Sequence, residues 1–315
     1  AQTVSVIVRQ LEKDGLLLRE KPQRGKVGQP LVPFSLDPDG AFTIGLKVGR
    51  RSGDLMLMDL AGKVRATFHQ PYTFPTPRDL IGFVEKGLAQ LTEPLRPRQL
   101  QRIVGLGIAA PFELWNWQEE AGAPASVMES WRGFDLAAEI GKICAWPVTL
   151  CNDATAACAA ELLFGKGRDY RDFAYFYCGY FIGGGIVING SLHQGRTGNA
   201  GALGSFPVPS PGGGAQQLIR PASFYALEQD LRRLGRNPDV LWQNTVDWDS
   251  AGPALDRWIA NAAEGIAYAC AGIAAVIENS AVVIDGAMPP AVRTALTVAV
   301  RDALTRVTLQ GVTPF

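Results

Sequence analysis

From residue 41 onward, short apolar runs broken by glycine turns alternate with Ala/Leu-rich helical stretches, and this alternation narrows the architecture more than any other feature. Residues 42–49 and 54–64 read as a strand hairpin, 103–109 as a third strand, and 79–91 as a helix between them. The pattern predicts an α/β protein of two lobes and excludes disorder, collagen and coiled coil. With 315 residues, 47% of them hydrophobic, the chain is able to build one large or two moderate cores.

Thirty basic residues cancel thirty acidic ones. No global positive field therefore draws the molecule to nucleic acid, and any such contact has to be local. The chain has no run of about eighteen uncharged apolar residues and no basic-then-apolar leader, which predicts a soluble cytoplasmic protein without membrane contact. It opens inside a helical pattern, so a segment upstream of Ala1 is expected. The five cysteines, Cys144, Cys151, Cys158, Cys178 and Cys270, form no CxxC pair, and His69 and His193 are the only histidines. Free, mostly buried thiols are expected, with no metal site, no histidine triad and no cofactor.

The local basic element lies at the start. Residues 1–18 place Val4, Ile7, Val8 and Leu11 at helical spacing, with Gly15 suited to the left-handed position past a helix end. A short strand, a turn-rich basic stretch over 21–30 and a second apolar stretch over 31–36 come next, in the order of a β-hairpin wing. Residues 1–30 carry six Lys or Arg against three Asp or Glu. A helix followed by a basic wing is the back half of a winged helix-turn-helix, whose second helix enters the major groove while the wing touches phosphates. On that reading Gln2, Thr3, Ser5 and Arg9 face base edges or backbone from the helix, and Arg24 and Lys26 contact DNA from the wing. A solvated helix with a flexible arm would carry the same charge excess.

Six motifs in the remainder resemble the ROK family of repressors, open reading frames and sugar kinases: "IGLKVGRRSGDLMLMDLAGKV" at 44–64, "GLGIAAP" at 105–111, "SWRGFDL" at 130–136, "CNDATAACAAELLFGKG" at 151–167, "GYFIGGGIVINGSLHQGRTGNAGALGSFPV" at 179–208 and "AVVIDGAMP" at 281–289. The resemblance implies a two-lobe actin-like, ribonuclease-H-like α/β fold preceded by part of a winged helix-turn-helix. The implied divisions are 1–36 for the DNA-binding remainder, 41–150 for the first lobe and 151–315 for the second. Family repressors carry an amino-terminal winged helix, in agreement with the independent reading of residues 1–36. The stretch after Asp285-Gly286 looks shorter than the family's.

The resemblance also implies where nucleotide would sit in a kinase, and there the chain departs. The family kinases' Asp-x-Gly-Gly-Thr aligns with Lys47-Val48-Gly49-Arg50-Arg51, and their Gly-Thr-Gly-Ile-Gly-Gly-Gly phosphate turn with Gly179-Tyr180-Phe181-Ile182-Gly183-Gly184-Gly185. A cation replaces the metal-side carboxylate, and two large rings replace the small residues that leave room for phosphate. The adenosine-side Gly-Gly reads Asp285-Gly286. Lys47, Arg50 and Arg51 are expected to be solvated surface cations, with an anion site as the weaker reading.

Asn152-Asp153 matches the family's Asn-Asp, implying sugar hydroxyl contacts from both and, in a kinase, Asp153 as general base. The same pair is also a good helix N-cap before the Ala-rich stretch, and both roles stand together. The family's Ala-Gly-Glu-x-Gly-His aligns with Ala200-Gly201-Ala202-Leu203-Gly204-Ser205, so its glutamate and histidine are missing, and 207–218 has no cysteine. Structural zinc is therefore not expected. The expected ligand set is Gly107, Pro111, Asn152, Asp153 and Asn199, with Arg196 or Arg220 near it, suited to a polyol or unusual sugar. Trp115, Trp117 and Trp131 could stack on a sugar face, but core packing is the expected fate of each. The reading is a ROK-type transcriptional regulator, dimeric or of higher order, that binds operator DNA and answers to a carbohydrate-like effector without kinase activity. A ROK sugar kinase is the alternative, and a ligand-binding protein without DNA activity is a third reading.

Overall fold

The computed structural model describes residues 2–23, 31–112, 114–116, 123–243 and 248–315. Arg24, Lys26 and Trp117 lie outside these. The chain divides into two compact units, Ala1–Asp153 and Ala154–Phe315.

The first unit opens with helix α1 (Gln2–Lys13). Gly15 takes φ +73°, and the Gly15 and Leu16 amides donate back to the Glu12 and Leu11 carbonyls. These are the paired bonds of a left-handed helix stop. β1 (Leu17–Arg19) packs against α1 and pairs antiparallel with β2 (Phe34–Leu36), Leu17 opposite Leu36. The apolar stripe of α1 is not buried along its length: Val4 is 63% and Ile7 53% exposed, like Val6 at 65% on the other side. Of that stripe only Val8 and Leu11 are half-buried.

Five strands come next: β3 (Phe42–Val48), β4 (Ser52–Asp59), β5 (Val64–Pro71), β6 (Ile103–Ala110) and β7 (Val148–Asn152), in the order β5-β4-β3-β6-β7. β3, β4 and β5 are antiparallel, while β6 and β7 run parallel to β3 and to each other. The single strand expected over 54–64 is instead the end of β4, a turn and the start of β5. Asp59 makes that turn. Its carboxylate accepts the Ala61 and Lys63 amides at 3.0 and 2.9 Å and holds Arg65 at 3.0 Å, while Gly62 takes φ +82°. Helix α2 (Pro77–Thr92), capped by the Thr76 side chain on the Asp79 amide, lays Leu80, Phe83, Val84 and Leu88 into one core with Phe42, Ile44, Leu46, Leu55 and Leu57. α3 (Leu136–Ile143), capped by Asp135, adds Leu136 and Ile140.

The second unit takes up α4 (Asp153–Phe164) and a sheet of β8 (Phe173–Cys178), β9 (Gly183–Ile188) and β10 (Ser191–Leu192), with β13 (Ala281–Gly286) parallel to β8. Between β10 and β13 come the hairpin β11 (Pro207–Pro209) and β12 (Ala215–Gln217), then α5 (Phe224–Arg233) and α6 (Pro253–Ile277); α7 (Pro290–Leu304) follows β13. β9 is approached so closely that its first residues have to be glycine. A Cβ on Gly183 would lie 2.7 Å from the Ala154 Cβ, one on Gly185 2.5 Å from the Cys158 Cβ, and one on Gly184 would overlap the Tyr175 carbonyl oxygen and meet Leu203. α6 is long and apolar enough to cross a membrane by length and composition. Half of its most apolar window is buried inside the fold, with Trp258, Ala262, Ile266 and Cys270 in the core. Gly265 and Gly272 let it approach its neighbours: a Cβ would lie 2.8 Å from Leu218 Cδ1 at the first and 2.6 Å from Phe206 Cζ at the second.

The five thiols are free. Burial pushes the Cys158, Cys178 and Cys270 thiols up to about 12, with Glu161 and Asp285 adding to the rise at the first two.

Two glycine substitutions separate packing from propensity. Gly184→Ala loses about 3 kcal/mol or more in urea unfolding because the added methyl has nowhere to go. Gly82→Ala, in α2 with open space around it, gains about 0.5–1 kcal/mol. At pH 8, iodoacetamide modifies Cys144 in the native chain, Cys151 more slowly because its thiol is raised, and the other three only in denaturant, as counted by mass spectrometry. A folded-state pKa raised above the unfolded value stabilises below about pH 8.5 and ceases to as pH rises toward 12, so the urea midpoint falls across that window.

Candidate functional site

Three parallel strands of the first unit end together. Lys47 of β3, Ala109 of β6 and Cys151 of β7 stand abreast, and Ala110 pairs with Asn152 one step further on. The chain leaves these ends as the Gly49–Ser52 turn, buried Pro111 and the first residue of α4, Asp153. Ligands of open α/β sheets bind in the crevice outside such carboxyl ends. The fold thus brings together Pro111, Asn152 and Asp153. Gly107 is exposed on β6, between Gly45 of β3 and Thr149 of β7, on the strand that leads to Pro111. Asn152 ends β7 and Asp153 begins α4, so the pair stands at the start of that helix. The neighbouring Cys151 thiol is raised by its burial and then by the Asp153 charge.

Two polar groups at this end, His69 and Tyr72, carry no signal in the linear pattern, because they come from β5 and the residue after it, a strand the sequence hid. The Tyr72 hydroxyl donates to the Gly49 carbonyl at 2.6 Å, and the Tyr72 amide to that of Arg51 at 2.8 Å. Burial, then the Asp54 charge, raises the Tyr72 phenol above its ordinary range. Asp54 stands opposite Lys47 on the adjoining strand and meets His69 Nδ1 at 2.6 Å and the Ser52 hydroxyl at 3.1 Å. A carboxylate is therefore present at this end of the sheet, already engaged by a histidine and a hydroxyl. Among the described residues no group of three or more His, Cys, Asp or Glu is placed to hold a metal ion.

In the second unit the turn between β8 and β9 is closed by the chain itself. The Gly179 and Tyr180 carbonyls accept the Phe224 and Tyr225 amides of α5 at 3.0 and 3.1 Å, and the Ile182 amide donates to Ser223 Oγ at 3.0 Å. The Tyr180 ring packs against Phe181, Tyr225 and Trp242 at centroid distances of 4.9, 5.7 and 5.9 Å. Trp242 is anchored in turn by its indole N–H on the buried Glu228 carboxylate at 2.6 Å. Helix amides that could have faced an anion are spent on backbone carbonyls, and the space beside the turn is filled by rings. Asp285 is likewise engaged, by Arg293 at 2.5 Å and the Tyr175 hydroxyl at 3.3 Å. Leu203, between the Ala202 and Ser205 that stand where the aligned motif has its glutamate and histidine, is buried over Gly184. Asn199, Arg196 and Arg220 are exposed in this unit.

Trp131 is core: it is buried, its indole donates to the Pro75 carbonyl at 3.0 Å, and Phe134 meets it edge-on. Trp115 is half-buried with the Arg132 guanidinium 5.6 Å above its ring. On α1, Thr3, Ser5 and Arg9 are exposed, and Gln2 begins the helix.

Two comparisons with curated proteins bracket this geometry. The chain is 26% identical over 302 residues to the uncharacterised protein y4fQ of Sinorhizobium fredii, covering 91% of this chain and 71% of that protein. It is 25% identical over 210 residues to the N-acetylglucosamine repressor of Escherichia coli O157:H7, covering 65% of this chain and 50% of the repressor, so the match spans about half of that protein's length. Among solved structures, a ROK family transcriptional regulator homologous to the Escherichia coli MLC protein superposes with a TM-score of 0.66 at 20% identity, over 97% of this chain and 80% of that one. A ROK family glucokinase of Streptomyces griseus, in complex with glucose and AMPPNP, superposes with a TM-score of 0.63 at 22% identity, over 84% and 89%. Repressors and kinases thus share this fold. The ROK family model matches residues 43–311, and the chain belongs to the ROK family.

Proposed function

We propose that this chain is a ROK-type transcriptional regulator that binds operator DNA through its amino-terminal segment and responds to a carbohydrate-like effector, without phosphoryl transfer. The closed β8–β9 turn carries the reading. Phosphoryl transfer needs backbone and space offered to a triphosphate and a carboxylate free to organise Mg²⁺. Here the Gly179 and Tyr180 carbonyls are tied to α5, the Tyr180 ring lies among three others, and Asp54 is held by His69 and Ser52. On this reading the closed turn and the engaged Asp54 leave no place for a nucleotide's phosphates and metal. Similarity to a repressor and the helix-then-hairpin order of α1, β1 and β2 support the regulatory half. In this reading residues 1–36 are the remainder of a winged helix-turn-helix. Gln2, Thr3, Ser5 and Arg9 meet DNA from α1, and Arg24 and Lys26 from the wing.

The effector is held by Pro111, Asn152 and Asp153 at the strand ends of the first unit and by Gly107 on the strand leading to them, and Asn199 is the further contact that the family resemblance implies. Asp153 needs no catalytic role, since an ionised carboxylate accepts hydrogen bonds from two sugar hydroxyls. The protein acts as a homodimer, and effector binding changes the spacing of two α1 helices against half-sites about one helical turn apart or a multiple of it. A ROK sugar kinase with Asp153 as general base is the second reading, favoured by the retained Asn152-Asp153 pair and the likeness to a glucokinase.

Incubation with ATP, Mg²⁺ and a panel of hexoses yields no sugar phosphate; turnover that Asp153→Asn abolishes would reverse the choice of readings. Selection from fragmented genomic DNA enriches a palindrome, and removing charge at Arg9, Arg24 and Lys26 weakens binding to all sequences and flattens its salt slope by about one unit per lost phosphate contact. A thermal-shift screen over sugars, sugar acids and polyols finds a ligand whose stabilisation Asn152→Ala removes.

A further inference from the structure

The Arg102 side chain ties helix α1 to the five-stranded sheet. Arg102, immediately before β6, donates from Nη2 to the Asp14 carbonyl at 2.8 Å and from Nη1 to the Gly40 carbonyl at 3.2 Å, while its own carbonyl accepts the Phe42 amide at 2.9 Å. It therefore joins the carboxyl end of α1, the linker and the first residue of β3. The end of a helix carries partial negative charge on its unpaired carbonyls, and a guanidinium there makes a charge-assisted bond stronger than a neutral donor could.

The surroundings leave little slack. Gly15 has φ +73°, and a Cβ on it would lie 3.1 Å from Arg102 Nη2; a Cβ on Gly40 would lie 2.6 Å from the Gly15 carbonyl oxygen. On the other side the linker is held by Asp39, which takes Arg96 at 3.2 Å, Gln99 at 3.0 Å and Arg65 at 3.4 Å. A cleft of about 250 Å³ opens beside the joint, lined by Gly15, Asp37, Arg98 and Arg102 among others.

We infer that Arg102 is a positioning residue for α1: it sets the direction in which that helix is presented from the sheet, and it does so from the strand whose opposite end reaches Pro111. The joint stands on geometry alone. Its consequence for DNA rests on the proposed function.

Hydrogen exchange on the full chain, followed by mass spectrometry, tests the joint without DNA or effector. Arg102→Ala speeds exchange in peptides spanning residues 14–18 about ten-fold or more, with β3, β4 and β6 unchanged. Arg102→Lys, whose single ammonium cannot span both carbonyls, gives an intermediate rise and carries the test should the alanine variant fail to fold. Unaltered exchange over 14–18, or equal acceleration throughout β3–β6, would overturn the inference, the latter by making Arg102 a general support of the fold. With a selected operator, Arg102→Ala weakens binding while the salt slope stays that of the parent, because no phosphate contact is lost. A flattened slope makes Arg102 a DNA contact instead and also overturns it. If the full-length parent protein binds no DNA, the proposed function fails and the exchange result alone decides the joint.

Discussion

The second unit depends on a strand, β9, whose first three residues meet their neighbours with no side chains. At Gly183, Gly184 and Gly185 the space a Cβ would need belongs to Ala154, to the Tyr175 carbonyl and Leu203, and to Cys158. Because these residues are bare, α4 lies flat on β9, and Leu203 drops over the sheet into the core with Phe176 and Ile182. A run of three glycines invites interpretation as an anion cradle. In this chain the same residues are a packing device, and the turn that precedes them is bonded to α5 rather than open. The Phe224, Tyr225 and Ile182 amides are thereby spent within the unit.

The first unit uses its backbone differently. Its strands β3, β6 and β7 finish side by side and give way to a polar turn, a buried proline and the start of a helix. Hydrogen-bonding groups are thus gathered at one end of the sheet while the apolar work is done on the face under α2. The retained Asn152-Asp153 pair sits there, whereas the phosphate-turn counterpart in the other unit is filled with rings. In the proposed reading, polar groups suited to hydroxyls and a ring-filled turn serve recognition rather than transfer.

Much of this was legible in the residues. Glycine-punctuated apolar runs marked β3, β4 and β6, Gly15 marked the end of α1, and bulky Tyr180 and Phe181 in a glycine turn signalled lost room. β5 was not legible, because Val64–Pro71 exposes alternate side chains at a sheet edge and its polar composition masks the pairing. With it were hidden His69 and Tyr72, and so the true company of Asp54 and Gly49. The rings around Tyr180 come from Tyr225 and Trp242, on segments far along the chain, and no local pattern announces them. Arg102 reads as one more surface arginine until the fold places the end of α1 beside it. Trp131 kept to the ordinary expectation for a large ring and lies in the core.

The crossing of α6 over its neighbours has an evolutionary corollary. At Gly272 the helix touches the Phe206 ring, and at Gly265 it touches Leu218 and Pro221, so each contact ties the permitted size of one side chain to that of another. A lineage that acquires a bulkier residue on the helix must shrink the opposite partner in step, and one that enlarges the partner must keep the helix bare. Drift at these positions is therefore expected to proceed in reciprocal pairs, leaving a covariation signature between residues 206 and 272 that neither would show alone.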